Sequence, residues 1–343
     1  MKKWISVILV AAICCCLPFQ CSALEKEETQ SLVVDEINYQ ALLDEDQDSS
    51  ILSDYSITSY IGEYNQEVRC YQKPEYDLHN DAMSTDDMRE LLIALGMDKD
   101  VVYSYSEEKL EEFREAKTIT VESAYIKTSQ DGTVSYHQKD EVLAELATRR
   151  GTESDEYRDS LMNLRVAWTG GGGNPDGDLF TVTASWLTQP GEGWEDIIGV
   201  SIKGYTTNAP TMNGWYRYQY GSDYKYYFYD EHDPDTYQTP SNDNYEGAAI
   251  VMDLGGVRPG MKIYMEVHAY PLYPELTTNS KVYGTYLHQI SKLAFTPSLT
   301  LPTDIFDNKA KGLGWLANII SVGVEIQEDY EPRTAQCNFQ YTP

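Results

Sequence analysis

Apolar residues along this chain follow two different periods, and the period changes near residue 150. Met88, Leu91, Leu92 and Leu95 recur at i, i+3, i+4 and i+7, the spacing of one helix face. Ser84 or Thr85 can cap the start of that helix, and Gly96 can end it. Ser106 precedes a second helical stretch, in which Leu110 and Phe113 lie one turn apart. Thr118 to Thr128 and Thr133 to Gln138 read as strands around Asp131-Gly132, a pair that tolerates the positive φ of a tight hairpin turn. Lys139 to Arg150 then reads as a short helix with Val142, Leu143 and Leu146 inward.

Beyond the polar, turn-rich run Arg149 to Asp155 the period shortens to strands. Leu164 to Trp168, Leu179 to Leu187, Ile197 to Tyr205, Trp215 to Tyr220, Tyr224 to Tyr229, Ala248 to Leu254, Lys262 to Tyr270, Lys281 to Phe295 and Ile319 to Gln327 are the candidates. Gly170 to Gly177, Gly221-Ser222-Asp223 and Gly255 to Gly260 punctuate them as turns. The expected fold is mixed, with a small α+β N-terminal module at 61–150 followed by an all-β sandwich or jelly-roll-like C-terminal domain at 161–343.

The first 60 residues differ from both regions. Lys2 and Lys3, the apolar run Ile5 to Phe19 and the small residues Cys21 and Ala23 have the order of a secretory signal peptide at 1–23. The run is shorter than the about 20 apolar residues a membrane helix needs. No membrane span is therefore expected once the signal is removed. Pro18, Phe19 and Gln20 ahead of Cys21 do not suit lipidation, and Leu301-Pro302-Thr303-Asp304 lacks the Thr-Gly end of a sortase signal. A secreted, extracellular protein follows. Residues 24–60 concentrate acids, with ten between Glu25 and Asp54 against the single base Lys26, and are expected to form a disordered acidic leader.

Charge and cysteine content narrow the function classes. The formal charge is −29, and loss of Lys2 and Lys3 would take it to −31. Nucleic acid is excluded as a partner, because binding it requires Lys and Arg to displace counterions. Removal of Cys14, Cys15, Cys16 and Cys21 would leave Cys70 and Cys337, for which export permits a disulfide.

The densest chemical signal is aromatic. Fifteen of the 28 tyrosines lie between Tyr205 and Tyr286, concentrated in the hairpin of Trp215 to Tyr229. With Gly221-Ser222-Asp223 as a three-residue loop, Tyr216, Tyr218, Tyr220, Tyr224, Tyr226 and Phe228 share one face. A two-residue loop would shift the register by one and mix the faces. Tyrosine joins a flat apolar body to a polar tip, which suits stacking on sugar rings or gripping a protein. Tyr216, Tyr218, Tyr220, Tyr224 and Tyr226 are therefore candidate ligand contacts, unless that face packs into the sandwich.

Other constellations point to metal or catalysis. Asp176 and Asp178 stand at alternate positions in Asn174 to Asp178, and Asp230, Asp233 and Asp235 crowd the end of the hairpin. Both arrangements could supply oxygens to a structural calcium ion, although Ser185 at the twelfth place excludes an EF-hand. Glu266 and His268 sit two apart on one strand and could pair as acid and base, with Glu195 as a further carboxylate. No Gly-x-Ser-x-Gly or His-Glu-x-x-His motif occurs. The pattern favours a secreted, non-catalytic β-sandwich binding a glycan or extracellular protein. An extracellular hydrolase and a structural envelope protein are the alternatives.

Overall fold

The computed structural model describes residues 34–44, 55, 57–62, 65–74, 83–129, 134–150, 159–188, 195–233, 235–242, 245–256, 258–272, 280–289 and 330–339. Five helices are described: α1 (Glu36–Asp44), α2 (Thr85–Ala94), α3 (Lys99–Ser104), α4 (Glu107–Glu115) and α5 (Lys139–Arg149). The strands are β1 (Thr58–Ile61), β2 (Glu67–Gln72), β3 (Thr118–Thr128), β4 (Val134–His137), β5 (Ser160–Gly170), β6 (Asp178–Trp186) and β7 (Glu195–Lys203). They continue as β8 (Tyr205–Tyr220), β9 (Asp223–Asp230), β10 (Thr236–Asn242), β11 (Tyr245–Asp253), β12 (Lys262–Pro271), β13 (Ser280–Gln289) and β14 (Tyr330–Phe339). The signal peptide, the Asp131-Gly132 turn and the strand expected at Ile319 to Gln327 lie outside the described residues.

Every described pairing between these strands is antiparallel, and the strands form two sheets. The larger runs β1-β2-β3-β5-β6-β12-β8-β9, with β4 also on β3, and the smaller runs β10-β11-β7-β13-β14. Strand alternation divides the larger sheet cleanly. Ile263, Met265, Val267 and Ala269 of β12 join Met162, Leu164, Val166 and Trp168 of β5 in a core that also takes in Ile198, Val200 and Ile202 of β7. Gly214 and Gly284 allow close approach there: a Cβ on Gly284 would stand 2.1 Å from Val166 Cγ2, and one on Gly214 2.6 Å from Ile250 Cδ1.

The opposite face of the larger sheet is covered by helices. Leu91, Leu92 and Leu95 of the α2 region, Val101 and Val102 of α3, and Leu110 and Phe113 of α4 pack on Ile119, Val121, Ala167, Trp215 and Tyr264. Ser84 caps α2 in a capping box with Asp87, Gly96 follows it at φ 94°, and Ser106 caps α4, as the sequence signals indicate. The expected α+β module is not a separate body in this arrangement. β3 pairs with β5 over eleven residues, from Thr118↔Gly170 to Thr128↔Ser160, so one sheet passes through both sides of the segment 151–158. A composition change in a connecting loop marked the boundary, and backbone pairing across the loop leaves no trace in composition.

The acidic leader also differs from expectation where it is described. Val34 bridges Thr188, and α1 follows, burying Tyr39 and Leu42 against Leu161, Leu187 and the α5 residues Val142 and Leu146. Asp35 is buried, with Oδ1 accepting from the Ile37 and Asn38 amides and Oδ2 from the Gly260 amide at 2.8 Å. Apolar residues at helical spacing override the local charge density. Among the described residues no helix is long and apolar enough to cross a membrane.

The link between helices and sheet is ionic as well as apolar. Asp98 caps α3 through Oδ1, which accepts from the Asp100 and Val101 amides. The same carboxylate accepts from Lys262 Nζ at 2.7 and 2.8 Å and from Arg165 Nη1 at 3.0 Å. Lys262 also donates to Asp100 Oδ2 at 2.7 Å, and Arg217 Nη2 donates to that oxygen at 2.6 Å. Burial opposes charge on Asp98, yet Lys262 and Arg165 hold it well below the usual carboxylate range; Asp100 is lowered in the same way by Lys262 and Arg217.

A depressed folded pKa stabilises the protein above the unfolded value of about 4 and loses that contribution as pH falls below it. Denaturant unfolding is therefore expected to give constant stability from these groups at pH 7 to 5 and a steep decline below pH 4. Asp98→Asn should flatten that decline, and an unchanged acid profile in the variant would refute the assignment. At pH 7, Asp98→Ala strands Lys262 and Arg165 in the interior and should cost about 3–5 kcal/mol.

Candidate ligand-binding edge and the covered ion network

The β8–β9 hairpin turns on two residues, Gly221 and Ser222, with Tyr220↔Asp223, Tyr218↔Lys225 and Tyr216↔Tyr227 as partners. The three-residue loop is thus corrected, and the six aromatics do not share a face. Gly221 has φ 66°, and its positive angle allows the tight connection without an intervening loop residue.

Tyr216 and Tyr218 point into the core between the sheets, 4% and 2% exposed, and Tyr216 donates its hydroxyl to Asp253 O at 2.9 Å. Tyr227 stacks on Tyr216 with ring centroids 4.7 Å apart. The opposite side of β9 carries Tyr224, Tyr226 and Phe228. Tyr226 stacks on Phe228 at 5.9 Å and meets Trp215 edge-on at 5.4 Å. The Arg217 guanidinium lies 3.9 Å from the Tyr224 ring centroid and donates to the Tyr226 hydroxyl at 3.2 Å. Phe228 is 73% exposed, Tyr220 at the hairpin tip 70%, and Tyr224 37%. β9 is an end strand of the larger sheet.

Of the five candidate tyrosines, then, Tyr220 and Tyr224 face solvent, Tyr226 is half-buried, and Tyr216 and Tyr218 are core. Phe228 on the exposed edge and the buried Arg217 beneath Tyr224 were not among the candidates. A two-residue reading of Gly221-Ser222 identifies both, because alternation then puts Tyr224, Tyr226 and Phe228 beside Arg217.

Glu266 and His268 do share a face of β12, but that face lies beneath α4 and both are buried. They do not pair with each other. His268 Nε2 meets Glu112 Oε1 at 2.5 Å, while Glu266 takes Lys109 at 3.3 Å, Asn213 Nδ2 at 2.8 Å and the Tyr264 hydroxyl at 2.6 Å. Lys109 also reaches Glu112 at 3.1 Å. Burial works against charge on Glu112, but the His268 hydrogen bond and Lys109 bring its pKa below the ordinary value. Glu195 stands on β7 of the smaller sheet, while Glu266 and His268 project from the helix-covered face of the larger one, so the three do not converge.

The aspartates separate similarly. Asp178 is turned inward, with Oδ2 accepting from Trp168 Nε1 and the Tyr205 hydroxyl and Oδ1 from the Gly171 amide; burial raises its pKa. Asp176 is exposed in the adjoining turn, where Asn208 Nδ2 lies 3.4 Å from its Oδ1. Asp230 and Asp233 fold onto their own turn, with Asp230 Oδ1 accepting from the His232 amide and Asp233 Oδ2 from the Asp230 amide. Asp235 is exposed nearby. Among the described residues, the group of three whose ligand atoms all lie within 4.8 Å of one another is Asp230, Glu231 and His232, on the surface.

Cys70 is a free thiol on β2 of the larger sheet, accepting from Thr120 Oγ1 at 3.4 Å, and burial raises its pKa. Cys337 is on β14 of the smaller sheet, opposite Val282. With Cys70 a free thiol, the expected bridge to Cys337 is not formed in this structure.

The two sides of the hairpin should respond differently to truncation. Tyr216→Ala removes a buried ring and should cost about 3–5 kcal/mol in denaturant unfolding. Phe228→Ala and Tyr220→Ala should stay within about 0.5 kcal/mol of wild type. Equal losses on both sides would contradict the assignment of faces.

No protein-family model matches the chain, and no curated protein does. Among solved structures it is similar to the collagen-binding domain from a Staphylococcus aureus adhesin, at 11% identity and a TM-score of 0.23, over 33% of this chain and 75% of that one. It is also similar to AvmM, which catalyzes macrocyclization in alchivemycin A biosynthesis, at 10% identity and a TM-score of 0.24, over 48% and 79%. A third is the collagen-binding domain of the Erysipelothrix rhusiopathiae surface protein RspB, at 6% identity and a TM-score of 0.25, over 51% and 56%. Binders and a catalyst both occur at these scores, so the likenesses do not choose between functions.

Proposed function

We propose that this is an extracellular, non-catalytic binding protein that holds a glycan on the aromatic edge of its β-sandwich. The observation that carries the reading is the outward stack of Tyr226 on Phe228, with Phe228 73% exposed. A large apolar ring left in water on an end strand has a cost that ligand burial relieves. Rings spaced along one face of a strand present flat surfaces to the faces of pyranose rings, and the Tyr224 and Tyr226 hydroxyls add polar tips. Arg217 fixes the platform, since it lies against Tyr224, bonds Tyr226 and is itself held by Asp100. The order of charged, apolar and small residues at 1–23 supports export.

By contrast, Glu266 and His268 of the hydrolase alternative are buried and already engaged in ion pairs and hydrogen bonds. Retention of the protein on a panel of immobilised polysaccharides tests the binding reading. Tyr224→Ala/Phe228→Ala is expected to lose at least tenfold in affinity while its melting temperature stays within a few degrees of wild type. Undiminished retention by this variant, or retention of wild type on no polysaccharide, would overturn the proposal.

A further inference from the structure

At the hairpin tip a second group of side chains stands on the other side of the sheet from Phe228. Tyr218 and Tyr220 follow strand alternation onto that side, and Tyr218 and Tyr227 bring their hydroxyls within 3.4 Å of each other. The Lys225 ammonium lies 4.9 Å from the Tyr227 ring centroid, over the phenol that meets Tyr218. The Arg258 guanidinium covers the Tyr218 ring at 4.2 Å. Lys225, Arg258 and Tyr220 are exposed.

What distinguishes this pair of cations is the company they keep. The chain has 55 acidic residues against 26 basic ones. Among the arginines whose side chains are described, all but Arg258 lie within 4.0 Å of a carboxylate oxygen. Arg258 and Lys225 rest on tyrosine rings instead, with no carboxylate partner among the described residues. The exposed Arg258 guanidinium beside the Tyr218 ring can offer a carboxylate two parallel N–H donors. The exposed ammonium of Lys225 carries three N–H donors of its own. Tyr220, 70% exposed on the same side, offers a flat surface beside this fork.

We propose that Arg258, Lys225 and Tyr220 form a subsite for a sugar ring bearing a carboxylate, so that the glycan bound by this protein is of the uronic-acid class. The proposal rests on the glycan-binding reading and narrows it. The carboxylate pairs with Arg258 and Lys225 while the ring that carries it lies on Tyr220. An acidic peptide would use the same charges but has no ring to place on Tyr220.

The test compares four immobilised probes against the full chain: polygalacturonate, its carboxyl-reduced neutral form, dextran sulfate and polyglutamate. Wild type should bind polygalacturonate at least tenfold more tightly than the other three. Lys225→Gln/Arg258→Gln should abolish that preference with an unchanged melting temperature, and Tyr220→Ala should weaken polygalacturonate without affecting polyglutamate. Equal binding of polygalacturonate by wild type and the double glutamine variant would overturn the subsite. If the neutral polymer is then retained and lost in Tyr224→Ala/Phe228→Ala, the glycan reading stands without it. Tighter binding of polyglutamate than of any polysaccharide would overturn both, and preference for dextran sulfate would overturn the carboxylate assignment alone.

Discussion

Asp98 joins the helical layer to the sheet, and the placement of the hairpin aromatics depends on it. One buried carboxylate ends the loop before α3, caps that helix and receives Lys262 and Arg165 from the middle of the larger sheet. Lys262 passes the constraint to Asp100, Asp100 to Arg217, and Arg217 to Tyr226. Burying this much charge is costly, and hydrophobic replacement can stabilise such a cluster in other settings. What the ions provide is direction. An apolar contact would let α3 slide on the sheet, whereas charge-assisted bonds specify which strand residue each helix residue meets.

The same principle explains the second polar group on that face. Lys109 holds Glu112 and Glu266 together, and His268 and Tyr264 occupy their remaining oxygens. Glu266 and His268, which resemble an acid–base pair in one dimension, each serve as a partner to another residue in three. A carboxylate and an imidazole two residues apart on a strand are compatible with chemistry and with cross-layer pairing. Only the position of α4 above them separates these possibilities.

How far the sequence revealed this architecture depended on the range of the interaction. Helix caps were legible because Ser84 and Ser106 bond residues three places on, well within a local window. The β-sandwich was legible because alternation in β5, β6 and β12 is a short-range pattern. Membership of β2 and β3 in the same sheet as β12 was not, since it depends on backbone pairing between distant segments. α1 was hidden by ten acids around a few apolar residues whose partners, from Tyr125 to Leu187, lie far along the chain. In the candidate site a single choice of loop length decided everything: the aromatic content of the hairpin was plain, but its division between core and water turned on one residue at Gly221-Ser222.

That dependence has an evolutionary side. β9 carries rings at both alternations, with Tyr224, Tyr226 and Phe228 on one side and Tyr227 and Tyr229 on the other. Most strands cannot survive being turned over, because inversion sends polar residues into the core. Here an insertion of one residue at the turn would exchange one aromatic set for another, and the interior would still receive rings. The displayed set would change from Tyr-Tyr-Phe to one including Tyr227 and Tyr229, without any substitution in the strand. The hairpin therefore stores two alternative surfaces in one sequence, and a change of length at its turn selects between them.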